Sequence, residues 1–395
     1  AEAIRRTRED YRLGFKVHPY HVNDVIRCYQ HPERSPGLPH TTNGIRHKRD
    51  VPVSYIKSFV HNLKYGKYRK CTTPCNAVGK SMVGKQPKYR LIWVYPCHMT
   101  MAEGVFAMPL IQAYKSQRKS YAIWLQYSKG GMKYLCSLRK KHAKWLGLDW
   151  SAYDSTIPPW LIRDAFGILR EQFDFSQYND WGKPTDPHTL PRLWDRIVEY
   201  FINTPVKFPD GHIEVKHMGI PSGSWFTNIL GSTTNSIMKH YLLIMEQIAY
   251  SRKNNLELGD DGVVEIFAKH LCLKQFAQRA EKDFGTILNV EKTEFGDYVS
   301  FLGYSMGSGA QKGIPLANYD KLVAQLLLPS RPDRSIGDLA TRIKALQLSC
   351  FGVGNLRFLH ESTGLLTRLG IAEPALPHKR SEEYSKLEYL GLSDW

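Results

Sequence analysis

Apolar positions follow two rhythms along the chain. Ala143 to Leu148 is a short apolar run entering an acidic turn, the pattern of a buried strand. Trp160 to Phe173 has helical spacing after Pro158-Pro159, a suitable helix start, and Pro191 to Ile202 predicts a second helix. Val206-Lys207-Phe208 and Ile213-Glu214-Val215 flank Pro209-Asp210-Gly211-His212, which predicts a hairpin. A long helix is expected over Trp225 to Tyr250. A second hairpin follows, with Leu256-Glu257-Leu258 and Val263-Val264-Glu265-Ile266 on either side of Gly259-Asp260-Asp261-Gly262. The pattern then predicts a helix from Ala268 to Phe284, a strand from Tyr298 to Met306, and three helical pieces from Asn318 onward. Strands and helices mix without a βαβ rhythm, so an α+β fold is expected rather than a doubly wound sheet.

Composition narrows the class. The chain has 395 residues, 42% apolar and 23% charged, which excludes disordered and collagen-like chains. Seven cysteines without regular spacing make no disulfide framework and point to a reducing compartment. The one long uncharged stretch, Met218 to Met238, is rich in Ser, Thr, Asn and Gly, so no membrane span is expected. Ala1 to Arg12 is too charged for a signal peptide, and the absence of an initial Met points to a longer native N-terminus. The net charge of +17 is uneven. Residues 1–144 hold 28 Lys+Arg against 7 Asp+Glu, whereas residues 145–395 hold 26 against 30. A basic half joined to a slightly acidic half suggests a polyanion track leading to an acidic site, with nucleic acid as the leading polyanion.

Three groups of residues carry candidate chemistry. Asp149 ends the buried strand and Asp154 follows it, while Asp260-Asp261 occupy the tip of a hairpin more than a hundred residues later. Asp and Gly suit hairpin turns on conformational grounds alone. A strand end and a hairpin tip on one sheet edge, however, bring carboxylates together, and such a cluster suits hard cations, here two Mg²⁺ ions. Pro221-Ser222-Gly223-Ser224-Trp225-Phe226-Thr227 precedes the long helix, either as a plain cap or as a loop whose N–H groups meet phosphate or ribose. Lys88 and Arg90 alternate along a strand after Lys80 and Lys85, a solvated basic strand or a triphosphate clamp.

In this order the elements resemble the viral RNA-dependent RNA polymerases, especially those of partitiviruses and picobirnaviruses, which have double-stranded RNA genomes. Ser35-Pro36-Gly37-Leu38-Pro39 looks like motif G, at which template is admitted, and Lys88-Tyr89-Arg90-Leu91-Ile92-Trp93 like motif F. Asp149 to Asp154 matches motif A, Gly219-Ile220-Pro221-Ser222-Gly223 through Thr227 motif B, and Leu258-Gly259-Asp260-Asp261 motif C. Leu288-Asn289-Val290-Glu291-Lys292-Thr293 resembles motif D and Phe301-Leu302-Gly303-Tyr304 motif E. The set spans roughly residues 35–305 in order, which makes it specific.

The resemblance implies a right-hand fold: fingers, a palm with an antiparallel sheet, and a helical thumb. The expected divisions are 1–105 for an N-terminal segment and fingers, 106–168 for palm, 169–215 for a fingers insertion, 216–310 for palm with motifs B to E, and 311–395 for the thumb. It implies that Asp149, Asp260 and Asp261 hold two Mg²⁺ ions, with Mn²⁺ as an alternative. Lys85, Lys88 and Arg90 would hold the triphosphate. Asp154, Ser222, Gly223, Thr227 and Asn235 would contact the nucleotide, Lys292 would protonate the leaving pyrophosphate, and Ser35, Pro36 and Gly37 would touch RNA. Many relatives carry Asn or Asp nine residues after the motif B serine; here that position is Gly231, with Asn235 one helical turn further. The implied partners are RNA template and product, NTPs and a viral capsid protein. The implied state is a monomer in the virion interior or host cytoplasm.

The alternatives are a reverse transcriptase, disfavoured because Asp154 welcomes a 2′-hydroxyl, and an inactive nucleic-acid-binding or capsid-associated subunit, disfavoured because all three carboxylates are present. Three decoys carry less. Gly79 to Gln86 nearly spells a P-loop, but Gln86 replaces the Mg²⁺-holding hydroxyl and Pro87 follows. Gly307-Ser308-Gly309 with Gly313 resembles a dinucleotide loop without a βαβ unit. Cys71, Cys75, Cys97 and His98 lack a standard zinc spacing.

Overall fold

The strand Lys144–Leu148 is the second of four in the central antiparallel sheet. The order is Glu294–Gly296, Lys144–Leu148, Asp261–Ile266, Tyr250–Leu258. Both faces of Lys144–Leu148 are covered, which is why it reads as a continuous apolar run. The computed structural model describes residues 1–82, 88–329, 332–351 and 355–371. Within them, helices and mostly antiparallel strands mix as an α+β fold.

The long helix Thr227–Met245 packs on the hairpin of the central sheet and is buried almost all round. Its polar residues discharge their hydrogen bonds internally. Ser232, Thr233 and Thr234 donate to the carbonyls of Asn228, Ile229 and Leu230 at 2.8, 2.8 and 3.0 Å. Lys239 is wholly buried, donating to the Leu256 and Val263 carbonyls and lying 2.9 Å from the equally buried Glu257. The helix Glu2–Tyr11 docks across this layer. Arg6 donates to the Tyr250 hydroxyl at 2.7 Å, His240 meets Asp10 at 3.0 Å, and Arg252 pairs with Glu9 and Asp10.

A second sheet runs Lys88–Val94, Cys75–Met82, Pro205–Lys207, Ile213–Val215. The amphipathic helix Thr189–Ile202 supports it and buries Trp194 among Phe106, Phe166, Phe173 and Phe226, with ring centroids 5.3–5.8 Å away. Three helices, Tyr319–Leu327, Ile336–Leu348 and Leu356–Arg368, gather round two small cores at the end of the described chain, in the three pieces the pattern predicts.

Three expected elements are corrected. The long helix stops at Met245, because Gln247 takes a left-handed φ of 53° and turns the chain, and Tyr250 already begins a nine-residue strand. That strand was legible only over Leu256–Leu258, since its polar start is bulged between Ser251 and Asn255. The strand expected over Tyr298–Met306 is a tight hairpin, Ser300–Phe301 with Tyr304–Met306, turned at Leu302 and Gly303 with φ 52° and 79°. The helix expected from Ala268 starts at Leu273. Of the decoys, Cys75–Met82 is a strand where a P-loop would need a turn, residues 83–87 lie outside the described chain, and Gly309–Gln311 is a single 3₁₀ turn. His98 is engaged by His40 and Thr73.

Candidate active site

Asp149, Asp260 and Asp261 lie at one edge of the central sheet, and Asp154 is near enough to Asp260 for their charges to interact. Asp149 follows Lys144–Leu148; its N–H donates to Thr293 Oγ1 at 3.2 Å and its carbonyl accepts from Asn289 at 2.8 Å. Gly259 and Asp260 form the two-residue turn between the paired Leu258 and Asp261. Gly259 has φ 69°, the conformation glycine supplies at the first central position of a type II′ turn. Asp154 is the second residue of the short helix Tyr153–Thr156, which follows Ala152 with its left-handed φ of 51°.

Electrostatics places these acids in one field. Burial pushes the Asp261 carboxyl up to about 6, and the charges of Asp260 and Asp149 add to it. Asp154 is pushed up to about 6 by burial and by Asp260, while the Arg90 guanidinium pulls it down. Both residues open to solvent on one side and are crowded on the others. Among the described residues no three His, Cys, Asp or Glu side chains are grouped closely enough to hold a metal ion between them. Hard oxygen donors that raise one another's pKa still fit a hard divalent cation, which relieves their repulsion.

The turn is held from beneath. Ser232 Oγ accepts the Gly259 N–H at 2.7 Å. Asn235 is wholly buried; its amide donates to the Gly259 and Asp260 carbonyls at 3.2 and 2.8 Å, and its oxygen accepts Trp150 Nε1–H at 3.1 Å. The sequence reading sends Asn235 to the ribose; the structure instead commits its amide nitrogen to the turn carbonyls and its oxygen to Trp150. Gly231, the apparent gap nearby, faces the Gly259 Cα, 3.5 Å from where its own Cβ would sit, and its carbonyl accepts the Tyr153 hydroxyl at 2.7 Å. Asn228, which sequence reasoning passed over, stands half-buried one turn earlier on the helix. The Tyr121 hydroxyl donates to its oxygen at 2.8 Å, which turns the amide nitrogen toward Gly259.

The loop before the long helix is wedged against neighbouring segments by backbone. Ser222 Oγ accepts the Trp93 N–H at 3.1 Å, and a Cβ on Gly223 would lie 2.0 Å from the Trp93 carbonyl oxygen. Gly219, φ 85°, has the same relation to the Asp154 carbonyl at 2.5 Å, and that carbonyl accepts the Ile220 N–H. Thr227 does not face outward; its hydroxyl closes the loop on the Pro221 and Ser224 carbonyls. Gly37 packs on Tyr95 and the Pro36 carbonyl accepts the Cys97 N–H at 2.7 Å, while Ser35 is exposed. Lys88 and Arg90 lie on the adjoining strand, Arg90 exposed and near enough to act on Asp154. Lys85 lies outside the described residues. Lys292 is exposed at the segment that bonds the Asp149 backbone.

Glu103, a lone acid in the apolar helix Cys97–Lys115, was not legible as functional. It is wholly buried, and its two oxygens accept the Ser224 hydroxyl and the Trp225 N–H, each at 2.8 Å. Burial pushes its carboxyl up to about 8. The unfolded chain releases this proton near pH 4.5 and the folded chain near 8, so ionisation opposes folding increasingly across that interval. Glu103→Gln should therefore gain stability relative to the parent as pH rises from 5 to 8. Glu103→Ala should lose about 1–3 kcal/mol by orphaning the Trp225 N–H. Melting temperatures from pH 5 to 9 read both, and a pH-independent gap between parent and Glu103→Gln would contradict the buried-acid account.

Comparison with known proteins adds three findings. A family model described as viral RNA-dependent RNA polymerase matches residues 22–352. The chain is 30% identical over 299 residues to the RNA-directed RNA polymerase of Cryptosporidium parvum virus 1 (strain KSU-1), covering 69% of this chain and 54% of that protein. It is 27% identical over 165 residues to that of White clover cryptic virus 1, covering 38% and 27%. The chain thus spans about half, or less, of the length of these curated relatives. Among solved structures, a human picobirnavirus RNA-dependent RNA polymerase superposes with TM-score 0.74 at 16% identity, over 100% of this chain and 75% of that one. The Sicinivirus 3Dpol polymerase gives 0.70 at 15% identity, over 99% and 86%. At such identities the likeness establishes the right-hand fold alone.

Proposed function

Because the chain belongs to the viral RNA-dependent RNA polymerase family, we propose that it copies RNA from NTPs for a virus with a double-stranded RNA genome. The observation that carries this is the placing of Asp149, Asp260 and Asp261 at one sheet edge, with Asp154 and Arg90 acting in the same field. Asp149, Asp260 and Asp261 would hold two Mg²⁺ ions, or Mn²⁺, and such ions when bound supply charge neutralisation at the reacting phosphate. Lys88 and Arg90 hold the triphosphate, with Lys85 beside them in sequence. Ser222 and the Gly223 backbone line the nucleotide site, and exposed Lys292 gives a proton to the departing pyrophosphate. Ser35, Pro36 and Gly37 border the path of the template. The expected divisions into fingers, palm and thumb belong to this proposal, as do a monomeric state, a capsid protein partner, and a place in the virion interior or host cytoplasm. No helix of the described residues is long and apolar enough to cross a membrane. Primer extension with purified protein, RNA template and NTPs is the test; no template-dependent product with either Mg²⁺ or Mn²⁺ would refute the proposal.

Sugar choice follows from the same geometry. A ribose 2′-hydroxyl donates to a carboxylate and accepts from an amide, which Asp154 and the Asn228 nitrogen provide. A deoxy substrate leaves a desolvated carboxylate unpaired, so discrimination should be large. Asp154→Ala is expected to relax the preference for GTP over dGTP by at least roughly ten-fold, and Asn228→Ala by less. The ratio of incorporation efficiencies on one RNA template is the readout. An unchanged ratio in Asp154→Ala would remove its ribose role.

A further inference from the structure

Residues 51–102 contain no Asp or Glu, yet they carry nine Lys and Arg. Part of this stretch is the helix Val53–Lys64, which turns Ile56, Phe59, Val60 and Leu63 inward and leaves Tyr55 42% exposed. The turn after it reads Tyr65-Gly66-Lys67-Tyr68-Arg69-Lys70, with Tyr68 44% exposed and Lys67, Arg69 and Lys70 open to solvent. Between helix and turn lies a recess of about 250 Å³ whose walls include Tyr55, Phe59, Tyr68, Lys70 and Thr73.

The rings are braced. Tyr55 sets its edge to His40 at 4.9 Å and His98 at 5.5 Å, and Phe59 meets His98 at 4.3 Å. Burial pushes His98 down to about 3, so the ring packed beneath Tyr55 and Phe59 carries no charge. His40 directly follows the Ser35–Pro39 loop, which is tied back by Thr41 N–H on the Gly37 carbonyl at 3.1 Å. The recess therefore stands behind the loop assigned to the template path.

We propose that this recess seats a base of single-stranded RNA lying outside the Ser35–Pro39 loop, stacked against Tyr55 and Tyr68, with its phosphates on Lys67, Arg69 and Lys70. The ligand class follows from two requirements. Acid-free cationic surface attracts a polyanion, and partly exposed aromatic rings take up bases only from strands whose bases are unpaired. A duplex hides its base faces and would use the lysines alone. The proposal rests on the polymerase reading for its choice of RNA and extends it to a seat away from the carboxylates.

The test is fluorescence anisotropy of the full chain with a labelled 20-nucleotide single-stranded RNA and a matching duplex, across a salt series. Tyr68→Ala and Tyr55→Ala should each weaken single-strand binding roughly ten-fold and leave duplex binding unchanged. Tyr68→Phe, which keeps the ring, should bind as the parent. Lys67→Gln with Lys70→Gln should flatten the salt dependence by about 0.7 per lost contact. Parental single-strand affinity in both alanine variants overturns the proposal. So does an equal loss for single strand and duplex, which marks a plain phosphate patch, or loss in Tyr68→Phe as large as in Tyr68→Ala. Extension by the parent chain on the same RNA reports separately: its failure would count against the polymerase reading, and the binding pattern alone against the recess.

Discussion

Replacing Asp260 with Asn should lower single-turnover nucleotide incorporation by roughly two to four orders of magnitude, about 3–5 kcal/mol of transition-state stabilisation. The substitution keeps the shape of the side chain and leaves the turn intact. That turn is secured through main-chain groups: the Gly259 N–H on Ser232, and the Gly259 and Asp260 carbonyls on Asn235. Only charge is removed, from an exposed position at the centre of the cluster, where Asp260 acts on both Asp154 and Asp261. RNA affinity, carried mainly by the basic half, should persist. Rapid-quench measurement at saturating NTP separates the two, and near-parental incorporation would show that these acids are not the reaction centre.

The second large effect is expected at Asn235, which touches no solvent. Asn235→Ala orphans the buried Trp150 indole N–H and strips donors from two turn carbonyls. Each buried orphan costs on the order of 1–3 kcal/mol, so stability should fall by about 3–5 kcal/mol. The turn bearing Asp260 should loosen, and small displacements of reacting groups cost roughly a hundred-fold in rate. Asn235→Asp is the sharper variant: it preserves volume and the acceptor for Trp150, yet a carboxylate cannot donate to the carbonyls of Gly259 and Asp260. Both variants should lose incorporation while keeping the parental ratio of ribo- to deoxynucleotide use. A shifted ratio in Asn235→Ala would instead return this residue to the sugar.

That reassignment shows which parts of the site the chain announced. Asp149 at the end of an apolar run and Asp260 in a Gly-Asp turn were legible because strand burial and turn stereochemistry are local properties. Asn235 was placed on the correct helix, but its use depends on which strand turn packs over that helix, and spacing carries no such information. Glu103 offered even less. One acid among apolar residues looks like a solvated face until the loop it holds is known. Element ends failed for a related reason. Gln247 and Leu302 adopt left-handed backbone without being glycine, so the helix stop had no turn residue to mark it and the hairpin only half of one, Gly303. The hairpin Pro205–Lys207 with Ile213–Val215, whose Pro209-Asp210-Gly211 turn has the usual chemistry, was found where expected.

The docking of helix Glu2–Tyr11 bears on synthesis. Its anchors, His240, Tyr250 and Arg252, lie up to 244 residues further along the chain. At ribosomal speeds of about 5–20 residues per second, the helix waits roughly 10–50 s before its seat exists. Early in that interval Tyr11 can meet Tyr114 and Tyr121, but Thr7, which faces Ser236, has no seat until its end. Glu2, Arg5, Arg6 and Glu9 can already pair along one turn, which keeps the nascent helix hydrated and discourages premature contacts. The layer that fixes the carboxylates is thus closed by a segment made well before most of its seat.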